Sequence, residues 1–437
     1  MSTRKGANAI ASAVVLALLT ACGGGAANDP DNAIHGEISG DITVVTWRTD
    51  LVEDGTFEKY AGEFRKLHPN VRIEFEGITN YEGEMATRLS TKNYGDVIGI
   101  PTMHPRQFEQ FLEPLGETSE LAGRYRFTSS HTYGGKQYGL AIGGNASGIV
   151  YNKRVFEEAG ITDLPTNGTE WIDALKKVKD STAAVPYYTN YKDGWPLGEA
   201  YSNLGAITKD PDAGIRMAEN PAPWTEGTDI YAIDSFTYDM VAAGLTEDDP
   251  LTTNWEQSKV ELGTGKIAAM GLGSWAISQI KDAAEANGAS ADDIGYLAFP
   301  SSVDGTQYSM IEGDYNLGVS RHSQHKAAAW AFIRWLVEES GFTEDEGMVS
   351  TVNRKPLPAN LRELDDRGIE FMEASPAPAG EESLLRDVAD EAKIDLSGYL
   401  YRQKLLDVAR GAAEGDKESF FADLNQRWNQ AIETVTG

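Results

Sequence analysis

The sequence predicts an α/β fold with more than one domain, and three observations support this prediction. Strand-like and helix-like apolar patterns alternate along the chain, which is typical of a parallel sheet covered by helices. The length of 437 residues exceeds what one core usually organises, so two domains are expected. The side chains are 41% hydrophobic and 9% aromatic, which is enough for a sizeable core.

The first predicted elements alternate between the two types. In order they are a strand at residues 41–47, a helix at 57–67, a strand at 71–77, a helix around Met85 and Leu89, and a strand at 96–100. The first strand is a β-branched run, and the first helix repeats apolar side chains from Phe57 at helical spacing until Pro69 stops it. This order predicts a parallel sheet.

The later part of the chain repeats the alternation. It contains strand-like runs at residues 147–152, 266–270 and 294–299, and helix-like runs around Trp171, at 325–337 and at 421–435. Four tryptophans fall on the apolar stripes of these helices, namely Trp171, Trp330, Trp335 and Trp428. Rings at such positions are usually core, so we predict that these four are buried.

The N-terminus indicates export and lipidation. Arg4 and Lys5 precede an apolar run that is too short to span a bilayer comfortably and has the pattern of a signal peptide. The run ends in Leu-Thr-Ala before Cys22, which resembles a bacterial lipobox, so residues 1–21 are the predicted signal peptide. Cys22 is then the lipidated residue and a membrane anchor. An ordinary signal peptide with an incidental cysteine is the alternative.

Residues 22–40 are rich in Gly, Asn and Asp and predict a flexible tether. Cys22 is the single cysteine, so no disulfide can form within the chain. The formal net charge of −29 repels phosphate backbones, which argues against a nucleic-acid partner. We expect the folded body to lie outside the cytoplasm and to be held at the membrane by lipid.

The stretch "GLGSWA" has two interpretations. Gly271, Gly273 and Ala276 match the spacing of a dinucleotide-binding loop. Trp275 would crowd a phosphate in that loop, and no acidic residue ends a strand at the required distance. The alternative is a tight turn, with φ > 0 available at the glycines, that exposes the ring of Trp275 because its neighbours are small.

Motifs for catalysis or metal binding are weak. The sequence contains neither GxSxG nor HExxH, and His322 and His325 alone do not make a metal site. Glu312 and Asp314 would share one face of a strand and could form an acid/base pair, although carboxylate pairs are common in so acidic a chain. We therefore predict no catalytic residue, metal or cofactor.

Loops near the ends of predicted elements combine aromatic with polar side chains, as in "TWRTD", "NYKDGWPLGEAY", "TTNWEQ" and "EGDYN". Aromatic rings suit the C–H faces of sugars, and polar side chains answer their hydroxyls. In open α/β sheets, ligands bind at the carboxyl ends of strands. The pattern favours recognition of a sugar.

Three blocks of sequence resemble one family. They are "YGLAIGGNASGIVYNKRVFEEAGI", "ELGTGKIAAMGLGSWA" and "GVSRHSQHKAAAWAFIRWLV". They are similar to the extracellular solute-binding proteins of ABC importers, in the carbohydrate-binding group that includes maltose-binding protein. The resemblance implies two α/β lobes joined by a hinge, a ligand cleft between them and no catalysis. It places the first lobe at residues 41–150 and 301–340, and the second at 151–300 and 341–437.

The resemblance also implies ligand-contact positions. Trp275 matches the family's aromatic platform, and Asp193 and Trp195 match the contact loop of the second lobe. Trp47 and Arg48 end the first strand, Tyr81 and His104 match first-lobe contact loops, and Asn145 precedes the crossover strand. Asp314 and Tyr315 match the loop that returns to the first lobe, and Tyr399 is a further candidate before a late helix. Core packing is the alternative for Trp47, Tyr81 and Tyr315.

The expected function is capture of an extracellular oligosaccharide by a monomeric lipoprotein that delivers it to the permease subunits of an ABC importer. Two alternatives remain open. One is a secreted carbohydrate-active enzyme that uses Glu312 and Asp314. The other is a binding protein for a different solute, such as a glycerophosphodiester or a peptide.

Overall fold

A computed structural model describes residues 33–437 of the chain. The predicted signal peptide and Cys22 lie outside these residues. Of the predicted tether, residues 33–40 are described, and Ile34 there packs against a hydrophobic cluster of the body. The end of the tether therefore lies on the folded body. Within the described part of the chain, no helix is both long and apolar enough to cross a membrane.

The strands are, in chain order, β1 (Gly40–Thr46), β2 (Val71–Gly77), β3 (Val97–Gly99), β4 (Gly116–Glu117), β5 (Thr132–Tyr133), β6 (Lys136–Gln137), β7 (Leu140–Ala146), β8 (Ile149–Asn152), β9 (Ala269–Gly271), β10 (Ile294–Leu297), β11 (Tyr308–Val319) and β12 (Glu370–Met372). The α-helices are α1 (Thr49–Glu53), α2 (Thr56–Leu67), α3 (Tyr81–Arg88), α4 (Phe108–Phe111), α5 (Thr118–Leu121), α6 (Lys153–Glu158), α7 (Gly168–Ser181), α8 (Trp195–Gly198), α9 (Ala213–Glu219), α10 (Asp229–Ala242), α11 (Trp255–Gly263), α12 (Ala276–Ala286), α13 (Lys326–Glu338), α14 (Phe342–Asp345), α15 (Arg362–Asp366), α16 (Leu384–Ala392), α17 (Leu400–Ala409) and α18 (Lys417–Thr436). The sequence predicted β1, β2, β3, β8, β9 and β10 and several helices, including α2, α7, α13 and α18, at these places, whereas it did not predict β7 or α10.

The first sheet has the order β12-β11-β3-β1-β2, and β7 pairs with β11. Its β1, β2 and β3 are parallel, as the alternating pattern predicts. The second sheet, β10-β8-β9, is antiparallel throughout, so the expectation that the parallel order repeats there is wrong. The central strand β8 comes from a distant part of the chain and lies between β9 and β10, to both of which it is antiparallel.

The chain passes between the two sheets beside a pair of hydrogen-bonded segments. It leaves the first sheet after Ala146 and returns to it at Tyr308. At this passage the amide of Ser147 donates to the carbonyl of Met310 at 2.8 Å, and the amide of Met310 donates to Oγ of Ser147 at 3.1 Å. These bonds hold the two crossing segments side by side.

Separate hydrophobic clusters cover the two sheets. One cluster packs α2 and α13 on the first sheet and contains Trp330 and Trp335. Others pack on the second sheet, and Trp171 lies in one of them. A helical cluster around Trp428 joins α9, α16 and α18. All four tryptophans are buried, which confirms the prediction. The lobe boundaries stay a prediction. Phe342, which that prediction assigns to the second lobe, packs into the cluster of the first sheet.

Candidate functional site

Three tryptophans form a cluster beside the second sheet, which we call the tryptophan cluster: Trp195, Trp255 and Trp275. The ring centroids lie 5.0 Å apart for Trp195 and Trp255, 5.7 Å for Trp195 and Trp275, and 5.6 Å for Trp255 and Trp275. All three rings are half-buried. Each stands at the start of a helix, and all three pack against a core cluster of the second sheet.

Hydrogen bonds fix the position of Trp255 relative to the loop of Trp195. Oδ2 of Asp193 accepts the backbone N–H of Trp255 at 2.8 Å, which joins this loop to the start of α11. The side chain of Asn254 caps the same helix by accepting from the amide of Gln257 at 2.8 Å. The predicted contact residue Asp193 therefore positions the tryptophan cluster.

The expectation that Trp275 has little to pack on is wrong, because two other indole rings contact it. Gly271 and Gly273 also do not adopt φ > 0. Gly273 is needed for space instead, since a Cβ there would lie 2.6 Å from Nε1 of Trp275. The amide of Gly273 donates to Oε2 of Glu199 at 3.2 Å, so a carboxylate already occupies the place of a phosphate.

Three carboxylates lie next to the tryptophan cluster and form what we call the carboxylate group: Glu199, Glu312 and Asp314. Burial raises the pKa of Glu199, and bonds from the Gly273 amide and the Trp275 indole lower it in part. Burial raises the pKa of Glu312 to about 7; the Ser202 hydroxyl works against this, and the charges of Glu199 and Asp314 add to it. Solvent still reaches the Glu312 side chain.

Asp314 joins the carboxylate group to the first sheet. Burial raises its pKa, whereas the Tyr315 amide, the charge of Arg48 and the Asn145 amide group lower it. Nδ2 of Asn145 donates to Oδ2 of Asp314 at 3.1 Å, and Oγ of Ser274 donates to Oδ1 of Asn145 at 3.4 Å. Asn145 thus connects Asp314 to the turn that carries the tryptophan cluster.

Asp314 and Tyr315 lie inside the long strand β11, so their assignment to a loop is wrong. The residues on both sides of Tyr315 pair with β7, which continues the ladder through this point. Tyr315 itself has φ of 49°, which is unusual for a tyrosine. Such strained residues persist where the surroundings hold them, and they cluster at ligand sites.

The first-sheet side of the site is a second aromatic group, which we call the Trp47 group: Trp47, Tyr81 and Tyr315. The ring of Trp47 lies 4.8 Å from Tyr81 and 5.5 Å from Tyr315, centroid to centroid. The guanidinium of Arg48 lies 5.0 Å from the Tyr315 ring and bonds Glu346 at 3.0 Å. Trp47 therefore both packs on the core and borders the site.

Tyr81 and His104 are engaged in contacts within the protein. Tyr81 is buried, and its hydroxyl donates to the carbonyl of Gly99 at 2.5 Å. Nε2 of His104 lies 2.7 Å from Oδ1 of Asp387, at the start of α16. Trp47 and Tyr81 line a cavity of about 600 Å³ together with Asn80, Thr102, His131 and Arg386.

Tyr399 lies at the far side of the tryptophan cluster, where its ring covers Gly194. A Cβ on Gly194 would meet Cδ2 of Tyr399 at 2.5 Å. Tyr399 thus supports the loop that carries Trp195. In the described part of the chain, no three His, Cys, Asp or Glu side chains converge as metal ligands would, and this includes the carboxylate group.

The sequence reasoning missed Trp255 and Glu199. Trp255 stands in "TTNWEQ", a loop whose aromatic and polar side chains favour sugar recognition, but no residue of this loop is among the predicted contacts. Glu199 stands in "GWPLGEAY", four residues after Trp195. Charge and aromatic content marked both loops, but no local signal indicates that they meet Trp275.

Two α/β units, with aromatic rings and carboxylates near the place where the chain passes between them, define a two-lobed ligand-binding protein. Indole faces can stack on the C–H faces of a ligand, and the carboxylates can accept its hydroxyl groups. Residues 48–341 match the family of bacterial extracellular solute-binding proteins. The chain belongs to this family.

Relatives of known ligand are similar over most of the chain. The multiple sugar-binding protein of Streptococcus mutans is 23% identical, over 68% of this chain and 71% of its own length. A manno-oligosaccharide-specific solute-binding protein of Bifidobacterium animalis subsp. lactis, solved with mannotriose, is 32% identical with a TM-score of 0.80, over 91% of this chain and 95% of that one. BlMnBP1 of the same organism, solved with mannobiose, is 34% identical with a TM-score of 0.81 and the same coverage.

Proposed function

We propose that this protein captures a neutral manno-oligosaccharide between its lobes and delivers it to the permease subunits of an ABC importer. The observation that supports this most is the meeting of the tryptophan cluster with the carboxylate group. Indole rings that can stack on a ligand, next to carboxylates that can accept hydrogen bonds, suit a polyhydroxylated ligand such as a sugar. Two relatives at 32% and 34% identity have bound mannotriose and mannobiose.

The charges favour a neutral ligand over an anionic one. Glu199, Glu312 and Asp314 face the site, and Arg48 is already bonded to Asp50 and Glu346. A phosphodiester would meet like charges and find no unpaired cation among these residues. We therefore place a glycerophosphodiester below a sugar as a candidate ligand.

Calorimetric titration tests the ligand. Mannotriose should bind with one site per chain, whereas cellotriose serves as a control of equal length and glycerophosphoglycerol, with one net negative charge, as the anionic alternative. Binding of glycerophosphoglycerol without binding of either sugar would overturn the proposal. Chromatography of the titrated mannotriose tests the alternative of an enzyme, and its conversion to shorter sugars at catalytic rates would decide for hydrolysis by Glu312 and Asp314.

We also propose that the protein works as a monomer, anchored outside the cytoplasm through lipid on Cys22, with lobes at residues 41–150 and 301–340 and at 151–300 and 341–437. A lipobox cysteine carries more than one acyl chain, which suffices for stable anchoring. Cys22→Ser should move the protein from the membrane fraction to the soluble fraction, measured by immunoblotting. Retention of the variant in the membrane fraction would exclude Cys22 as the anchor.

A further inference from the structure

A cavity of about 320 Å³ lies beside the carboxylate group, and its lining includes Glu312 but none of the three rings of the tryptophan cluster. We call it the side cavity. Its walls come from β11, from α9, from the 3₁₀ turn Glu199–Asn203, and from residues 127–130 and 374–385. We propose that the side cavity is a second sugar-binding compartment, which holds further units of the oligosaccharide and sets the preferred chain length. This inference rests on the proposed function.

Two residues join the side cavity to the tryptophan cluster. Glu312 belongs to the carboxylate group and also lines the side cavity. Oγ of Ser202 donates to Oε1 of Glu312 at 2.6 Å, and both residues border the cavity. The turn that carries Ser202 begins with Glu199, which bonds the Gly273 amide. A ligand that reaches the carboxylate group from the tryptophan cluster therefore meets the mouth of the side cavity next.

The lining of the side cavity matches the two kinds of surface that a sugar presents. Aliphatic and aromatic groups such as Leu204, Leu385 and Tyr201 offer contact to C–H faces. Hydroxyl groups such as those of Ser129 and Ser375 can bond sugar hydroxyls. Small-molecule sites are lined in this way, predominantly apolar with a few polar groups, and begin at about 300 Å³.

The charge of the cavity also selects for a neutral occupant. Glu312, Glu381 and Glu382 line it, and no Lys, Arg or His does among the described residues. A sugar acid or a sugar phosphate would be repelled there. Neutral sugar units that extend from the tryptophan cluster would reach the mouth of the side cavity and would not be repelled by its carboxylates.

Gly214 offers a way to fill the side cavity without moving the rest of the site. It lies in α9 and lines the cavity, and a Cβ there would be 3.4 Å from Cδ2 of Leu385, an ordinary contact. Gly214→Leu should therefore fold and occupy space needed by the outer sugar units. Gly62→Leu is the matched control, because Gly62 also lies in a helix, α2, and a Cβ there meets nothing within 4 Å. Ile215→Phe on α9 fills the same cavity if Gly214→Leu does not fold.

The test is calorimetric titration of mannobiose and mannotetraose into the native protein and both variants. The native protein should bind mannotetraose about tenfold more tightly, which corresponds to about 1.4 kcal/mol. Gly214→Leu should reduce this preference to about twofold, with mannobiose affinity unchanged, and Gly62→Leu should keep it. Equal weakening of both sugars, or an unchanged preference, would overturn the second compartment. Failure of the native protein to bind either sugar would instead refute the proposed function.

Discussion

The tryptophan cluster and the Trp47 group are both aromatic, but they are supported in different ways. Trp47 presses on the first sheet, where a Cβ on Gly99 would come within 1.9 Å of its ring. Its neighbour Tyr81 is buried and bonded to backbone carbonyls. Each ring of the tryptophan cluster is instead half-buried at the start of its own helix and touches the other two.

This difference indicates that the Trp47 group is mainly structural and that the tryptophan cluster is a surface for ligand contact. The Trp47 group forms part of the core of the first sheet, so losing it should weaken folding more than binding. The rings of the tryptophan cluster pack at the edge of a core cluster and stay half-buried, so losing one should weaken binding more than folding. The loss of an aromatic ring therefore has different consequences in the two groups, because the surroundings of the ring differ.

The largest expected effect is on stability, at the Trp47 group. Tyr81→Ala removes a buried aromatic ring and should lower the free energy of unfolding by about 3–5 kcal/mol. Tyr81→Phe keeps the ring and removes one hydroxyl, so it should cost about 1 kcal/mol. Urea unfolding measures both. If Tyr81→Phe keeps its stability but loses sugar binding, Tyr81 is a ligand contact and the comparison fails.

The next effect is on binding, at the tryptophan cluster. Stacking on an aromatic ring is worth about 1–3 kcal/mol, by analogy with bases. Trp275→Ala should therefore weaken mannotriose binding by about tenfold to a hundredfold. Its unfolding free energy should fall less than that of Tyr81→Ala, because the ring is half-buried. Calorimetry and a thermal melt separate the two quantities.

Trp171→Ala is the matched control for Trp275→Ala. Trp171 is fully buried in a cluster of the second sheet. Its loss should cost about 3–5 kcal/mol of unfolding free energy, with normal affinity in the protein that remains folded. If Trp275→Ala behaves like this control, Trp275 is core and the assignment of the site is wrong.

Local pattern was sufficient to predict β1, β2 and β3 of the first sheet and β8, β9 and β10 of the second, but it did not predict β7 or α10. The period of apolar residues located α2, β2 and α18, and burial of Trp171 and Trp428 followed from the same stripes. The antiparallel second sheet could not be predicted in this way. Strand direction depends on pairing between segments such as β8 and β9, which lie more than a hundred residues apart.

The site was predicted only in part for the same reason. Trp195 and Trp275 were chosen, and the structure brings them together, but Trp255 joins them through a fold-level contact that no local motif records. His104 has a side chain of the kind that contacts sugars, but in the structure it bonds Asp387, which lies 283 residues later in the chain. A single sequence gives the chemistry of a side chain, and the tertiary fold decides its partner.

A smaller effect should appear with pH, because burial raises the pKa of Glu312 to about 7. A glutamate in the unfolded chain titrates near pH 4.3, so between that pH and about 7 the folded protein binds more protons. The free energy of unfolding should therefore fall as pH rises through this window.

A charged acceptor bonds hydroxyls more strongly than a neutral one, so mannotriose affinity should rise about fivefold from pH 5.5 to 8.

Glu312→Gln tests the assignment of this pH dependence. The variant cannot ionise at position 312, so its mannotriose affinity should vary with pH by less than about twofold. Calorimetry at pH 5.5 and 8 compares it with the native protein. An unchanged pH profile in Glu312→Gln would assign the titration to another group, such as Glu199 or Asp314.

The smallest expected effect concerns a contact between the loop of His104 and α16. Asp387 at the start of α16 accepts from Nε2 of His104 at 2.7 Å, from Nη2 of Arg106 at 2.6 Å and from Oγ of Ser383 at 2.9 Å. Nδ1 of His104 accepts the Arg106 amide at 3.2 Å, so Nε2 is the nitrogen that donates to Asp387.

Asp387→Asn keeps the shape of this side chain and removes its charge. Ion pairs of this kind contribute up to about 1 kcal/mol, so mannotriose affinity should fall about two- to threefold. The radius of gyration of the ligand-free protein should increase in small-angle scattering, because a contact that holds α16 against residues 104–106 is weakened. Asp390→Asn is the control, since Asp390 lies on the same helix and pairs only weakly, at 3.6 Å, with Arg386. If both variants give the native radius and affinity, the His104–Asp387 contact does not hold the two units together, and closure depends on the aromatic groups and the ligand alone.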